Sequence, residues 1–399
     1  MRRLLPCLPV LLFGMCMTTR DVRAEPAQPI ELATFDQSRR HHSEIANRQV
    51  ETIRKIVLNQ GDDARALANL VQLSRNLSPT ATSALYFELS SDYLLRAKYN
   101  QAASVLQQLL NQHRDQPIAR DALLRLVRLY SSGEVQHTEG LKQSTQPTNA
   151  DERGFARYAM HTANVTVQQL PTLAEDPALT FQRAVATRHV GQQRAALGRL
   201  TRLKRDLQGE PWRTRALAEQ WLHDDRRDEP PLAVVHCPRI DQRPHLDGSL
   251  DEPCWQANSC VRFAYDHEFL YLAITCEKKA AHDYQTDSRV RSYDADLSAH
   301  DHIEIHLDVD RDYATWYELA IDHRGWTSDR CWLNPGWNPK WFVAADADES
   351  HWTAEAAIPL TAIVHSAPSS GAAWAIATRR ILPSADEPSS QEISLLLFE

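Results

Sequence analysis

The spacing of apolar residues changes once along the chain, near residue 223, and this confines the molecule to two regions of different secondary structure. Across residues 35–223 apolar side chains recur three and four positions apart, as in Ile53, Ile56 and Val57 and again in Leu67, Leu70 and Val71, the spacing of one helix face. The stretches NQGD at 59–62, NLSP at 76–79 and RDQP at 114–117 interrupt that pattern. They predict helices of about one to two dozen residues, packed as antiparallel pairs. Residues 130–151, rich in Ser, Gly, Gln and Thr, read as a polar loop. In the later part the period falls to two. Ile303, Ile305 and Leu307 alternate with His302, Glu304 and His306, the pattern of a strand with one buried face. Similar short runs at 261–276, 340–345, 351–358, 374–381 and 392–398, with no helices between them, predict an antiparallel β-sandwich. The expected fold class is therefore multidomain α plus β. A helical hairpin array over residues 35–223 leads through a charged, proline-closed linker at 224–235 to a sandwich over 236–399.

The first residues read as an address rather than as structure. Arg2 and Arg3 precede an apolar run at 4–17 that is too short to cross a bilayer, and VRA at 22–24 resembles a cleavage site. These features predict a secretory signal peptide over residues 1–24 and a linker at 25–34, hence an exported periplasmic or extracellular protein that does not span the membrane. Cys16 leaves a lipid-modified cysteine open as an alternative. Cleavage would leave Cys237, Cys254, Cys260, Cys276 and Cys331, an odd number that permits one or two disulfides in an oxidising compartment. Cys254 and Cys260 are the nearest pair in sequence, and no CxxC spacing points to zinc. A net charge of -8 argues against a nucleic-acid partner, which needs clustered Lys and Arg. The chain has no nucleophile elbow, phosphate loop or metalloprotease motif, so a non-catalytic role is expected. A glycosidase-type carboxylate pair is recognised only in three dimensions.

Within the helical region Tyr86, Leu89, Tyr93, Tyr99, Ala102 and Leu106, with Pro117 behind them, resemble the packing positions of one tetratricopeptide repeat. A looser match runs through Ala184, Ala196, Leu200, Leu203 and Pro211. Such arrays present a concave surface, which implies a protein partner on the helical repeats.

The later region resembles the family 9 carbohydrate-binding module over about 150 residues. Its motifs are DGSLDEPCW at 247–255, YDHEFLYL at 265–272, DHIEI at 301–305, a stretch at 316–325 closing on a glycine, WTAEAAIP at 352–359, and a strand at 374–380 running into Arg379 and Arg380. The resemblance implies a β-sandwich that holds sugars, often beside structural calcium. Members of the family stack a sugar ring between tryptophans. Here the segment before the DHIEI strand has no tryptophan, and Tyr293 is its nearest aromatic residue.

The candidate carbohydrate-binding residues are then Glu304 as acceptor and Arg379 as donor, with Tyr293, Trp332 and Trp337 as aromatic surface. Glu304 and Arg379 are equally readable as an ion pair on a solvated face, Trp337 as a cover on the sheet edge and Trp341 as core. Asp308, Asp310 and Asp312 alternate through the turn DVDRD and offer hard oxygen ligands to calcium, though the turn lacks the glycine and distant glutamate of an EF-hand. The row of His302, Glu304 and His306 offers donors to a transition metal on one strand face. The expected function is an exported, non-catalytic carbohydrate-binding protein that holds a polysaccharide or glycan on the sandwich and a protein partner on the helices. The alternatives are a protein-interaction scaffold whose sandwich no longer binds sugar, or an accessory subunit of a glycoside hydrolase system.

Overall fold

The computed structural model describes residues 37–60, 63–142, 149–205, 210–224, 228–255, 259–280, 284, 294–383 and 392–399. Residues 1–24, expected to be a signal peptide, lie outside them. The chain divides into two units, Met1–Ala46 and Asn47–Glu399.

The fold is α plus β. Among the described residues the helices are α1 (Gln37–Leu58), α2 (Asp63–Leu73), α3 (Pro79–Leu95), α4 (Tyr99–Gln112), α5 (Ala119–Ser131), α6 (Gly133–Lys142), α7 (Asn149–Gln169), α8 (Pro177–His189), α9 (Gln193–Arg205) and α10 (Trp212–His223). Local chemistry sets their starts. Ser78 accepts a bond from Ala81 N at 3.2 Å and Pro79 opens α3; Asp176 accepts from Leu179 N at 2.9 Å and Pro177 opens α8. A capping side chain followed by proline satisfies or removes backbone donors that a helix start leaves unpaired. Tyr86, Leu89, Tyr93, Tyr99, Ala102 and Leu106 are all buried between α3 and its neighbours.

Residues 130–151 were expected to form a loop, but α6 occupies much of that stretch. The Ser132 hydroxyl accepts from Val135 N at 3.2 Å and starts the helix. Its first turn is buried against residues 308–315 of the later region, so tertiary contact overrides the weak helical signal of a Gly-, Gln- and Thr-containing sequence.

The strands are β1 (Ala233–Cys237), β2 (Val261–Tyr265), β3 (Phe269–Glu277), β4 (His302–Asp308), β5 (Tyr317–Asp322), β6 (Thr327–Cys331), β7 (Phe342–Ala347), β8 (His351–Pro359), β9 (Ala373–Ile381) and β10 (Glu392–Phe398). They form a six-stranded sheet in the order β1-β10-β9-β4-β5-β6 and a four-stranded sheet in the order β2-β3-β8-β7. The pairings are antiparallel as expected, except that β1 runs parallel to β10. Ile303, Ile305 and Leu307 of one sheet and Leu272, Ile274 and Trp352 of the other are buried in the same core. Each such side chain contributes on the order of 1.5–3 kcal/mol by leaving water.

The sequence motifs of this region tie its parts together. Asp301 accepts Trp352 Nε1 at 2.9 Å, Tyr284 OH at 2.8 Å and Arg380 Nε at 2.9 Å. Glu355 accepts Trp255 Nε1 at 2.9 Å and the amides of Asp247 and Gly248 at 3.1 and 3.0 Å. Gly248 sits at φ 89°, and a Cβ there would come within 2.8 Å of the Ala345 carbonyl carbon, so glycine is required for that approach. Asp266 accepts the amides of Glu268 and Phe269, both at 2.7 Å, and closes the β2–β3 turn. No helix among the described residues is long and apolar enough to cross a membrane.

Candidate ligand groove and candidate metal centre

Alternation along β4 sends His302, Glu304 and His306 to the outer face of the six-stranded sheet. Register places Arg379 of β9 opposite Glu304, and Arg330 of β6 opposite Glu318 of β5. The two ion pairs therefore stand side by side on one surface. Arg379 Nε lies 3.0 Å from Glu304 Oε2, and Arg330 Nη2 lies 2.5 Å from Glu318 Oε1. They floor a groove of about 710 Å³, one wall of which is the loop 294–298 preceding β4.

The groove's electrostatics follow from partial burial beside fixed cations. Burial raises the Glu304 carboxyl, but the His302 and Arg379 contacts outweigh it and hold the group at about 2. Glu318 likewise is raised by burial and brought below its ordinary value by His306 and Arg330. Burial lowers His302, while Glu304 and the His300 carbonyl raise it above the usual imidazole value. The two carboxylates stay anionic and the groove keeps acceptors and donors in fixed positions. The histidine row does not converge as a metal site: His302 turns to Glu304 at 3.7 Å, and His306 to Glu318 at 3.1 Å.

The aromatic candidates fare differently. Trp337 is only 5% exposed and stacks on Tyr317 in the core, centroids 4.5 Å apart, so it is not a surface platform. Trp332 is half-buried and packs against the same core, with its amide bonded to the Trp316 carbonyl at 2.8 Å. Both follow the preference of a large ring for the interior. Tyr293 lies outside the described residues. Among the described residues lining the groove none is Trp, Tyr or Phe.

The acidic turn after β4 lies at the junction with the helices. Asp310 Oδ2 accepts Gly133 N of α6 at 2.6 Å, and Glu134 Oε1 accepts Val309 N at 2.8 Å. Glu134, Asp308 and Asp310 each bring one carboxylate oxygen within 4.8 Å of the others. The expected set was Asp308, Asp310 and Asp312; the structure puts Glu134 in the group and turns Asp312 to the amides of Ala314 and Thr315, at 2.6 and 2.7 Å. Burial raises Glu134 and Asp308 well above the carboxylate range, with neighbouring acids adding to it, and raises Asp312 to about 7. The nearby guanidinium of Arg311 goes elsewhere. It bonds Glu219 of α10 at 2.8 Å, and Arg188 of α8 bonds the same carboxylate. Tyr313, at φ 55°, plugs into the helices beside Phe181, ring centroids 5.6 Å apart.

Hard oxygen donors suit a calcium-class ion, and the hydrogen bonds that orient these carboxylates leave further lone pairs. Gln182, wholly buried, donates Nε2 to the Asp312 carbonyl at 2.9 Å and leaves Oε1 without a hydrogen bond at the same junction. The residues present therefore fit such an ion.

Sequence reasoning did not find Glu134, which stands 174 positions before Asp308 in a stretch read as loop. Glu318 was in reach, because it falls in the stretch 316–325 that the resemblance already marks, whereas Arg330 stands on β6, a strand the sequence reading did not contain. No family model matches the chain, and no curated protein matches it.

Proposed function

We propose that this is an exported, non-catalytic carbohydrate-binding protein. Its two sheets form a β-sandwich of the carbohydrate-binding-module type, and its helices form a tetratricopeptide-like array that holds a protein partner. The observation that carries the reading is the polar groove over β4, β5, β6 and β9, where Glu304–Arg379 and Glu318–Arg330 stand side by side in fixed positions. A sugar hydroxyl is donor and acceptor at once. A carboxylate next to a guanidinium answers both needs, and each planar group has more hydrogen-bonding capacity than one pairing consumes. With no Trp, Tyr or Phe among the described lining, recognition rests on hydrogen bonds to hydroxyls, and burial of the ligand's apolar face contributes little. Glu134, Asp308 and Asp310 would hold a calcium ion that supplies positive charge to the buried junction and fixes the turn after β4.

The experiment is retention of soluble and insoluble polysaccharides by the full chain, compared with Glu304→Gln. The expected result is retention that falls about tenfold or more in the variant, the loss of one charge-assisted hydrogen bond. A folded wild-type chain that retains no glycan would favour the scaffold reading.

A further inference from the structure

Cys260 lies just before β2, the edge strand of the four-stranded sheet, and Cys276 near the end of β3. The Cys260 carbonyl accepts Thr275 N at 2.8 Å, so the two cysteines are diagonal neighbours across one antiparallel pair. Strand alternation sends Cys276 inward with Ile274 to the shared core. The same alternation would send Cys260 to the opposite face from Val261, but the chain bends at residues 259–260, and the Cys260 sulfur turns back to lie 3.3 Å from Cys276 Sγ. Two side chains that regular strand geometry would separate are thus brought together at a sheet edge.

We propose that Cys260 and Cys276 are a disulfide-forming pair that is oxidised by exchange with a low-molecular-weight or protein disulfide and staples the edge strand β2 to β3. The alternative partner, Cys254, packs beside Ile240, Leu246 and Leu250 in a separate cluster on the other face of the sheet. Cys331 is buried in the six-stranded sheet with Thr138 Oγ1 3.6 Å from its sulfur. Cys237 is buried too.

The chemistry balances in two exchanges. The Cys260 thiolate attacks the donor disulfide, forming a mixed disulfide and releasing one donor thiolate. Cys276 sulfur then attacks the Cys260 sulfur, expels the second donor thiolate and gives up its proton to solvent. The two cysteines are oxidised, and one donor disulfide is reduced to two thiols. The order of steps follows from the environment. Cys260 is exposed at the sheet edge, and the hydrogen bond from Cys276, with Arg380 and Arg262 nearby, brings its thiol down to about 7 against the opposing effect of burial around the sulfur. Cys276 is raised, first by that same hydrogen bond and then by burial, so it acts second.

The test treats the full chain, fully reduced, with oxidised glutathione, quenches it with an alkylating agent and maps the peptides without reduction. The expected product is a peptide linked through Cys260 and Cys276, with two fewer free thiols, in the wild type and equally in Cys254→Ser. Cys276→Ser should stop at glutathione on Cys260, and Cys260→Ser should leave Cys276 reduced. The oxidised wild type should also melt several degrees above its reduced form, a difference absent from both variants. A stable glutathione adduct on wild-type Cys260, a Cys254–Cys260 link, or an unmodified Cys260 would each overturn the pairing. The wild-type map alone decides this, whatever the variants' stability.

Discussion

Two groups of carboxylates are organised around β4, one on its outer face and one at the turn that follows it, and they neutralise their charge in different ways. In the groove Glu304 and Glu318 each face a guanidinium across a strand register, at the edge of water. At the junction Glu134, Asp308, Asp310 and Asp312 are gathered without a guanidinium bonded to any of their carboxylates among the described contacts. Backbone amides and hydroxyls orient them instead, as when Asp308 accepts Tyr313 N at 2.7 Å. The cationic side chain nearest in sequence, Arg311, is spent on Glu219. Compensation by fixed side chains leaves a surface that can exchange its water for hydroxyls. At the junction compensation is weaker, with the His189 ring 3.8 Å from Asp310 Oδ2 and Arg128 acting on Asp312 only through space, and the acid-rich centre is suited to shared protons or a cation.

The largest effect should come from the charges that clamp the junction. Glu219→Ala would leave Arg188 and Arg311 buried and unpaired and should cost about 3–5 kcal/mol in urea unfolding. Burial raises Glu219, but the two arginines outweigh it and hold the group below its ordinary value, so it is anionic in the folded protein. A cost near zero would show that water reaches these charges and that the junction resembles the groove. Next comes the cation. Calcium added after chelation should stabilise the wild type by about 2.7 kcal/mol at a hundredfold excess over its dissociation constant, read as a rise in melting temperature. Glu134→Gln should abolish that rise. If calcium shifts nothing and Glu134→Gln melts like the wild type, shared protons hold the junction together.

The groove's contribution is bounded near that of the cation and carries a pH signature of its own. Glu304 is held at about 2 in the folded protein, below the ordinary carboxylate value that applies when it is unfolded. Its contribution, up to about 3 kcal/mol at one pKa unit per 1.4 kcal/mol, is fully present above the unfolded value and is lost as pH falls toward 2. The stability difference between wild type and Glu304→Gln should therefore narrow between pH 5 and about pH 2, measured by denaturant unfolding. A gap independent of pH would mean the pair is not what stabilises the strand.

The strand region was legible because its constraints are local. Alternation in residues 302–307 placed Glu304 outward and Ile305 inward, and the late strand put Arg379 within its reach. Several recognisable motif residues prove to hold the fold: Asp247, Gly248, Trp255 and Glu355 come from two distant motifs and meet in one hydrogen-bonded knot. A resemblance written in such residues speaks for architecture more than for ligand. Trp337, readable either as aromatic surface or as a cover on the sheet edge, proves to be core stacked on Tyr317, which no local pattern around it announces. Glu134 was out of reach for a different reason. Nothing in its own neighbourhood announces a partner far along the chain, and the helix that carries it is buried against that same partner.

The close approach of Gly133 to Asp310 reaches beyond the site itself. A side-chain Cβ at 133 would lie 3.1 Å from Asp310 Oδ2, so the start of α6 and the turn after β4 fit with little slack. The charged stretch near residue 224 is where the covalent chain changes character, but it is not where the molecule comes apart. Cutting there would expose the apolar ring of Tyr313 and the buried carboxylates of Glu134, Asp308 and Asp312. Heat should therefore melt the helices and the sheets of residues 47–399 in a single calorimetric transition, with neither half surviving the other.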